Sequence, residues 1–163
     1  MAAAQWGRED RVADVWGKLN LKDQKEIVVV NAPSSFEPSL RALEGVAVKR
    51  KPSDAKQIAF FLAFATTRKD VDTLAKVVAS KTLPDAVVWV AYPKATSKRY
   101  TSEISRDAGN EALGEAGFEP VRMVAIDEDW TGKRFRRVAF IKNLTRDPRA
   151  LMSKEGKKRV GRT

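Results

Sequence analysis

A chain of 163 residues has room for one domain, and this one contains neither cysteine nor histidine. Disulfides, thiolate nucleophiles and thiolate or imidazole metal sites are therefore excluded. Catalysis would fall to Lys, Tyr, Ser, Thr, Asp or Glu, and a metal would have to accept oxygen ligands. The net charge of +10 is unevenly spread: from Asn143 onward seven basic residues stand against two acidic ones, so half of the excess lies in the last stretch. Such a run gives weak, salt-sensitive, non-specific attraction to nucleic acid and other polyanions. No apolar run approaches the ~18 residues a membrane span needs. The first residues do not follow the basic-then-apolar pattern of a secretory signal. The expected location is the cytoplasm, away from membranes.

In chain order, Val12, Val15, Trp16 and Leu19 fall on one face of a helix over 10–19, with Asp10 placed to cap it. Residues 26–30 read as a short β-branched strand ending in Asn31-Ala32-Pro33-Ser34-Ser35. Ser34 or Ser35 caps a helix over 36–43, with Pro38 in its first turn and Gly45 beyond its end. A second strand spans 46–49 and leads into Arg50-Lys51-Pro52; a third spans 58–65. Thr67 then caps a helix over 69–81, where Val71, Leu74, Ala75 and Val78 make the cleanest apolar face in the chain.

Val87-Val88-Trp89-Val90-Ala91-Tyr92 is an unbroken apolar run, the mark of a strand covered on both sides. Ile104, Ala108, Ala112 and Leu113 then predict a helix over 101–116, stopped by Gly117. Strands over 121–126 and 134–142 close as a hairpin around residues 127–133, and so short a link permits only antiparallel pairing. Strands alternating with helices imply a three-layer α/β, Rossmann-like sandwich. Its sheet is a mostly parallel one of about six strands that ends in an antiparallel hairpin. Residues 1–145 form one domain with an N-terminal helix, and 146–163 read as a basic, disordered tail.

That order of elements resembles a shortened methyltransferase-type Rossmann fold. Several stretches are similar to a small bacterial domain-of-unknown-function family (number three thousand and fifty-two). They are Lys18-Leu19-Asn20-Leu21, Asn31-Ala32-Pro33, Trp89-Val90-Ala91-Tyr92-Pro93-Lys94 with Ser97, and Val124-Ala125-Ile126-Asp127-Glu128-Asp129-Trp130 with Arg134-Phe135. The resemblance implies a fold but no reaction.

Nucleotide-cofactor sites on such folds use a glycine-rich turn after the first strand and an acid after the second. Here the turn Asn31-Ala32-Pro33-Ser34-Ser35 has no glycine, and Lys49, Arg50 and Lys51 stand where the acid belongs. Adenosylmethionine or NAD in the usual mode is not expected, and no cofactor is assigned. The basic trio suits either a phosphate or a solvated strand end.

Tyr92-Pro93-Lys94-Ala95-Thr96-Ser97 offers an ammonium and hydroxyls to an anion; as a plain loop it would only solvate its charges. Asp127-Glu128-Asp129-Trp130 reads as an oxygen-ligand metal turn or as an acid–base-paired turn with Trp130 over the sheet edge. The candidate ligand-binding rim comprises Asn31, Ser34, Thr66, Tyr92, Lys94, Ser97, Asp127 and Trp130, with no catalytic residue and no metal assigned. The expectation is a non-catalytic binding module for a small anionic ligand or a protein partner. Two alternatives stand beside it: a degenerate methyltransferase-like enzyme, and a nucleic-acid-associated protein using its basic tail.

Overall fold

The computed structural model describes residues 15–141 and 151–161, with side chains to residue 157 in the second stretch. Six strands form one sheet: β1 (Glu26–Val30), β2 (Ala47–Lys49), β3 (Ile58–Phe64), β4 (Thr82–Pro93), β5 (Phe118–Ala125) and β6 (Trp130–Arg137). Their order is β2-β1-β3-β4-β6-β5. The first four run parallel, whereas β6 is antiparallel to both β4 and β5. The helices are α1 (Glu37–Arg41), α2 (Arg68–Lys81), α3 (Glu111–Glu115) and α4 (Lys154–Gly161).

Successive strand residues point to opposite faces, and the core divides accordingly. One face gathers Val28, Phe61, Val88, Val90, Tyr92 and Phe135 under the Val71–Leu74–Ala75–Val78 stripe of α2 and under Leu113 of α3. The other gathers Ile27, Val29, Phe60, Leu62, Phe64, Trp89 and Ala91 under Trp16, Leu19, Phe36 and Leu40. Trp89 is fully buried and donates its indole N–H to Leu19 O at 2.7 Å, while Trp16 donates to Ser39 O at 2.8 Å. Each large ring thus buries its apolar body and still satisfies its polar edge. α2 begins with a reciprocal cap in which Thr67 Oγ1 accepts from the Asp70 amide and Asp70 Oδ2 accepts from the Thr67 amide.

Neither Ser34 nor Ser35 caps α1, whose start carries no side-chain cap, and the structure departs further from the sequence pattern in three places. The helix expected over 101–116 is only α3, because the preceding residues bond to a side chain and to a distant loop instead. Ser102 Oγ accepts from the Ile104 amide at 2.9 Å, and the Glu103 amide donates to Thr66 O at 2.8 Å. Gly109 then turns the chain at φ +93, where an added Cβ would stand 2.8 Å from Ile104 Cα. These side-chain and loop bonds outcompete the helix ladder.

The hairpin is tighter than expected. Thr131, Gly132 and Lys133 belong to β6, since Asp127 Oδ1 accepts from the Asp129 and Trp130 amides and closes the turn early. The strand also ends sooner, in a 3₁₀ turn at Val138–Phe140.

The third departure is the tail. Leu151 and Ser153 are buried, and α4 follows them. A buried carboxylate, Glu119, binds the Met152 and Ser153 amides, so this part of the expected disordered tail is docked on the domain. Residues 142–150 lie outside the described residues, as does most of the expected N-terminal helix; its end is a helical turn at 15–18.

Candidate functional site at the carboxyl edge of the sheet

Parallel strands deliver their carboxyl ends to one edge, and β1 has β2 on one side and β3 on the other. In open α/β sheets ligands bind outside the strand ends where the strand order reverses, which here is between β1 and β3. Asn31 follows β1, Thr66 follows β3, and Lys94 and Ser97 follow β4. Because β6 runs the other way, its first residue Trp130 pairs with Pro93 at this same edge, next to the Asp127 turn. Topology alone therefore brings the eight candidate residues to one end of the molecule.

Asn31 adopts φ 59, the left-handed region that glycine normally fills in such turns and that asparagine tolerates better than most residues. The turn then runs through exposed Ser34 to Ser35, whose hydroxyl donates to Asp127 Oδ2 at 3.3 Å across 92 residues of sequence. Thr66 has its backbone engaged on both sides, its amide donating to Asp70 Oδ2 at 3.1 Å and its carbonyl accepting from Glu103. The Lys94 amide donates to Asp129 O at 2.7 Å, and Ser97 Oγ donates to Asp129 Oδ1 at 2.9 Å. Arg99 approaches the other Asp129 oxygen at 3.9 Å. The acidic turn is thus tied up internally and by the Lys94 amide, Ser97 and Arg99. The Lys94 ammonium, half-buried, has no carboxylate partner among the described residues.

Trp130 packs edge-on against Phe64, with centroids 5.2 Å apart, and against Tyr100 at 4.9 Å. It is 3% exposed, yet its indole N–H has no partner among the described residues. A buried donor without an acceptor is disfavoured unless water or a ligand supplies one. Tyr92 does not join this group. It pairs with Thr131 and belongs to the core on the opposite face, so its ring and that of Trp130 lie on different sides of the sheet. Burial raises the Tyr92 hydroxyl pKa above the usual range, and nearby Asp107 adds to the rise.

At the end of β2, Arg50 makes a bidentate pair with Glu37 at 2.9 and 2.8 Å, which holds the Glu37 carboxyl below the usual range. One member of the basic trio is therefore engaged within the protein. The rim expected from the sequence leaves out Ser35, Asp129, Arg99 and Tyr100. The Asp-x-Asp-Trp spacing signals the side-chain-closed turn, but nothing local marks the distant partner of Ser35.

No protein-family model and no curated protein matches the chain. Among solved structures, it is similar to a SAM-dependent methyltransferase from Aquifex aeolicus, with a TM-score of 0.54 and 14% identity over 76% of this chain and 88% of that one. An N-methyltransferase from Haemonchus contortus, solved with phosphomonomethylethanolamine and S-adenosylhomocysteine, gives 0.52 and 6% identity over 83% of this chain and 39% of that one. The mitomycin 7-O-methyltransferase gives 0.50 and 11% over 79% and 54%. The chain has a Rossmann-like fold of the methyltransferase type, with a six-stranded sheet that is parallel except for its closing hairpin.

Proposed function

We propose that this protein is a degenerate methyltransferase-like protein whose working surface is the carboxyl edge between Asn31 and Trp130. The observation that carries this reading is the strand order, which sets a switch point between β1 and β3 and closes with antiparallel β6, as a methyltransferase-type sheet does. Left-handed Asn31 keeps the tight turn after β1 without glycine, and Trp130 at the same edge carries a buried indole N–H with no partner among the described residues. The reading is degenerate because Lys49 replaces the acid that would hold ribose hydroxyls.

Titration calorimetry with S-adenosylmethionine and S-adenosylhomocysteine tests this directly. Binding in the micromolar to millimolar range is expected, weakened several-fold in Trp130→Phe, which keeps a ring but removes the donor. A folded protein that ignores both ligands at millimolar concentration would overturn the reading.

A second reading, a non-catalytic module for a small anionic ligand, is favoured by one observation. The glycine-free 31–35 turn is bonded to Asp127, while the nearby Lys94 ammonium has no carboxylate partner among the described residues. Its signature is a rise in melting temperature with phosphate- or carboxylate-bearing ligands that is lost in Lys94→Gln, with no response to the adenosyl compounds.

A further inference from the structure

On the face of the sheet opposite Trp130, a cavity of about 500 Å³ opens between the loop before α3, the start of β5 and the docked C-terminal segment. Pro120, Leu151 and Met152 give it apolar walls, and Asn110 lines it. Asn110 is 3% exposed, and its Oδ1 has no hydrogen-bond partner among the described residues. Its position is enforced. Gly109 turns the chain inward at a φ only glycine adopts freely, and Lys133 Nζ binds the Arg106 carbonyl, holding the loop against β6. An unsatisfied buried acceptor in a native fold calls for an explanation. Here the residue that carries it lines a space of the size that takes small ligands.

The rim carries both signs of charge. Arg106, Lys133 and Lys157 stand against Asp107, Glu111 and Glu115, three charges of each sign, so the lining does not select a strongly charged ligand. A side-chain amide presents an acceptor and a donor in one plane, and its natural complement is another such edge. We propose that this cavity binds a neutral or zwitterionic small molecule through an amide-type edge, an N–H donor beside an acceptor, with the N–H placed on Asn110 Oδ1. Nucleobases and primary carboxamides both carry that edge. The site is separate from the carboxyl edge and does not depend on the function proposed there.

The test is an amide-resolved NMR titration of the full chain with adenine, uracil, nicotinamide and L-glutamine, each to millimolar concentration. At least one probe is expected to shift Gly109, Asn110 and Met152 while leaving Asn31 and Trp130 in place. A response to adenine or uracil identifies a nucleobase ligand, and one to nicotinamide or glutamine a carboxamide. Asn110→Leu matches the side chain in size without its polar atoms. It is expected to weaken binding at least tenfold while raising the melting temperature of the free protein by roughly 2–4 °C, since an unpaired acceptor is removed. If Asn110→Leu does not fold, Asn110→Asp keeps the shape, deletes the donor, and is expected to weaken the same probe. The proposal is overturned if no probe moves those amides, if the responsive probe moves Trp130 instead, or if Asn110→Leu folds but melts lower.

Discussion

The carboxylate of Glu119, with no exposed surface, accepts the hydroxyl of Ser153 at 2.6 Å. The Met152 amide reaches both oxygens of the same group, at 2.9 and 2.8 Å, and the Ser153 amide binds one of them. Ser153 Oγ in turn accepts from the Gly156 amide at 2.8 Å and so caps α4, which begins over a negative charge. Hydrogen bonds to a buried charge are the strong kind. Glu119→Ala is therefore expected to destabilise the protein by about 3 kcal/mol. Calorimetry reads the loss, and trypsin cutting after Lys154 and Lys157 should become much faster. Unchanged cleavage would mean that the segment does not rest on Glu119.

Gly114 tests the same docking from the other side. A Cβ there would lie 2.6 Å from Met152 Cβ and 2.9 Å from Met152 O. In an isolated helix, Gly→Ala stabilises by about 1 kcal/mol. Here the backbone clash wins, and Gly114→Ala is expected to cost about 1–3 kcal/mol. In a chain ending before Leu151 the sign should reverse, and the double-mutant cycle measures the coupling. Additive effects would contradict the contact.

The Asp70 carboxyl gives the fold an acid-sensitive element. Burial pushes its pKa upward, but hydrogen bonds from the Thr66 and Thr67 amides outweigh that and hold it below the usual range. A carboxyl depressed in the folded state adds stability above its unfolded pKa of about 4, and the contribution fades as pH falls through the lower folded value. Asp70→Asn is expected to cost about 1 kcal/mol at neutral pH, the usual worth of such a cap. The difference from the parent should shrink as pH falls below 4. A gap that persists undiminished at pH 2 would assign the loss to shape rather than charge.

Strands β3 and β4 and helix α2 are legible in the sequence because their burial is local and continuous: an apolar run fixes a doubly covered strand, and Val71, Leu74, Ala75 and Val78 fix one helix face. The misreadings have a common cause, which is polar groups whose partners are remote. Ile104 and Ala112 keep helical spacing, but Glu103 bonds back to Thr66 and Gly109 breaks the run. Lys133 reads as a turn lysine, yet it is 3% exposed inside β6, its stem covered and its ammonium on loop carbonyls. The charges after Asn143 suggest a free tail only until Glu119 is known to be buried beneath Ser153. At the candidate site the shared edge was legible from strand order. That Tyr92 and Trp130 face opposite ways follows from the register Tyr92–Thr131 between β4 and β6, which no local signal marks; the hairpin turn sets only the pairing of β6 with β5.

That turn supplies the last prediction. Asp127 Oδ1 accepts from the Asp129 amide at 2.8 Å and the Trp130 amide at 2.9 Å, while among the described residues its other oxygen takes only the exposed Ser35 hydroxyl at 3.3 Å. The first two bonds fix the start of β6 and with it the indole of Trp130; the third is long and solvent-facing. Asp127→Ala is expected to cost about 1–2 kcal/mol and to shift the Trp130 indole N–H resonance. Ser35→Ala should stay within about 0.5 kcal/mol and leave that resonance in place. Equal losses from the two substitutions would move the importance of Asp127 from its own turn to the bridge over the sheet edge, and the candidate crevice would then be closed by design rather than bordered by a self-contained hairpin.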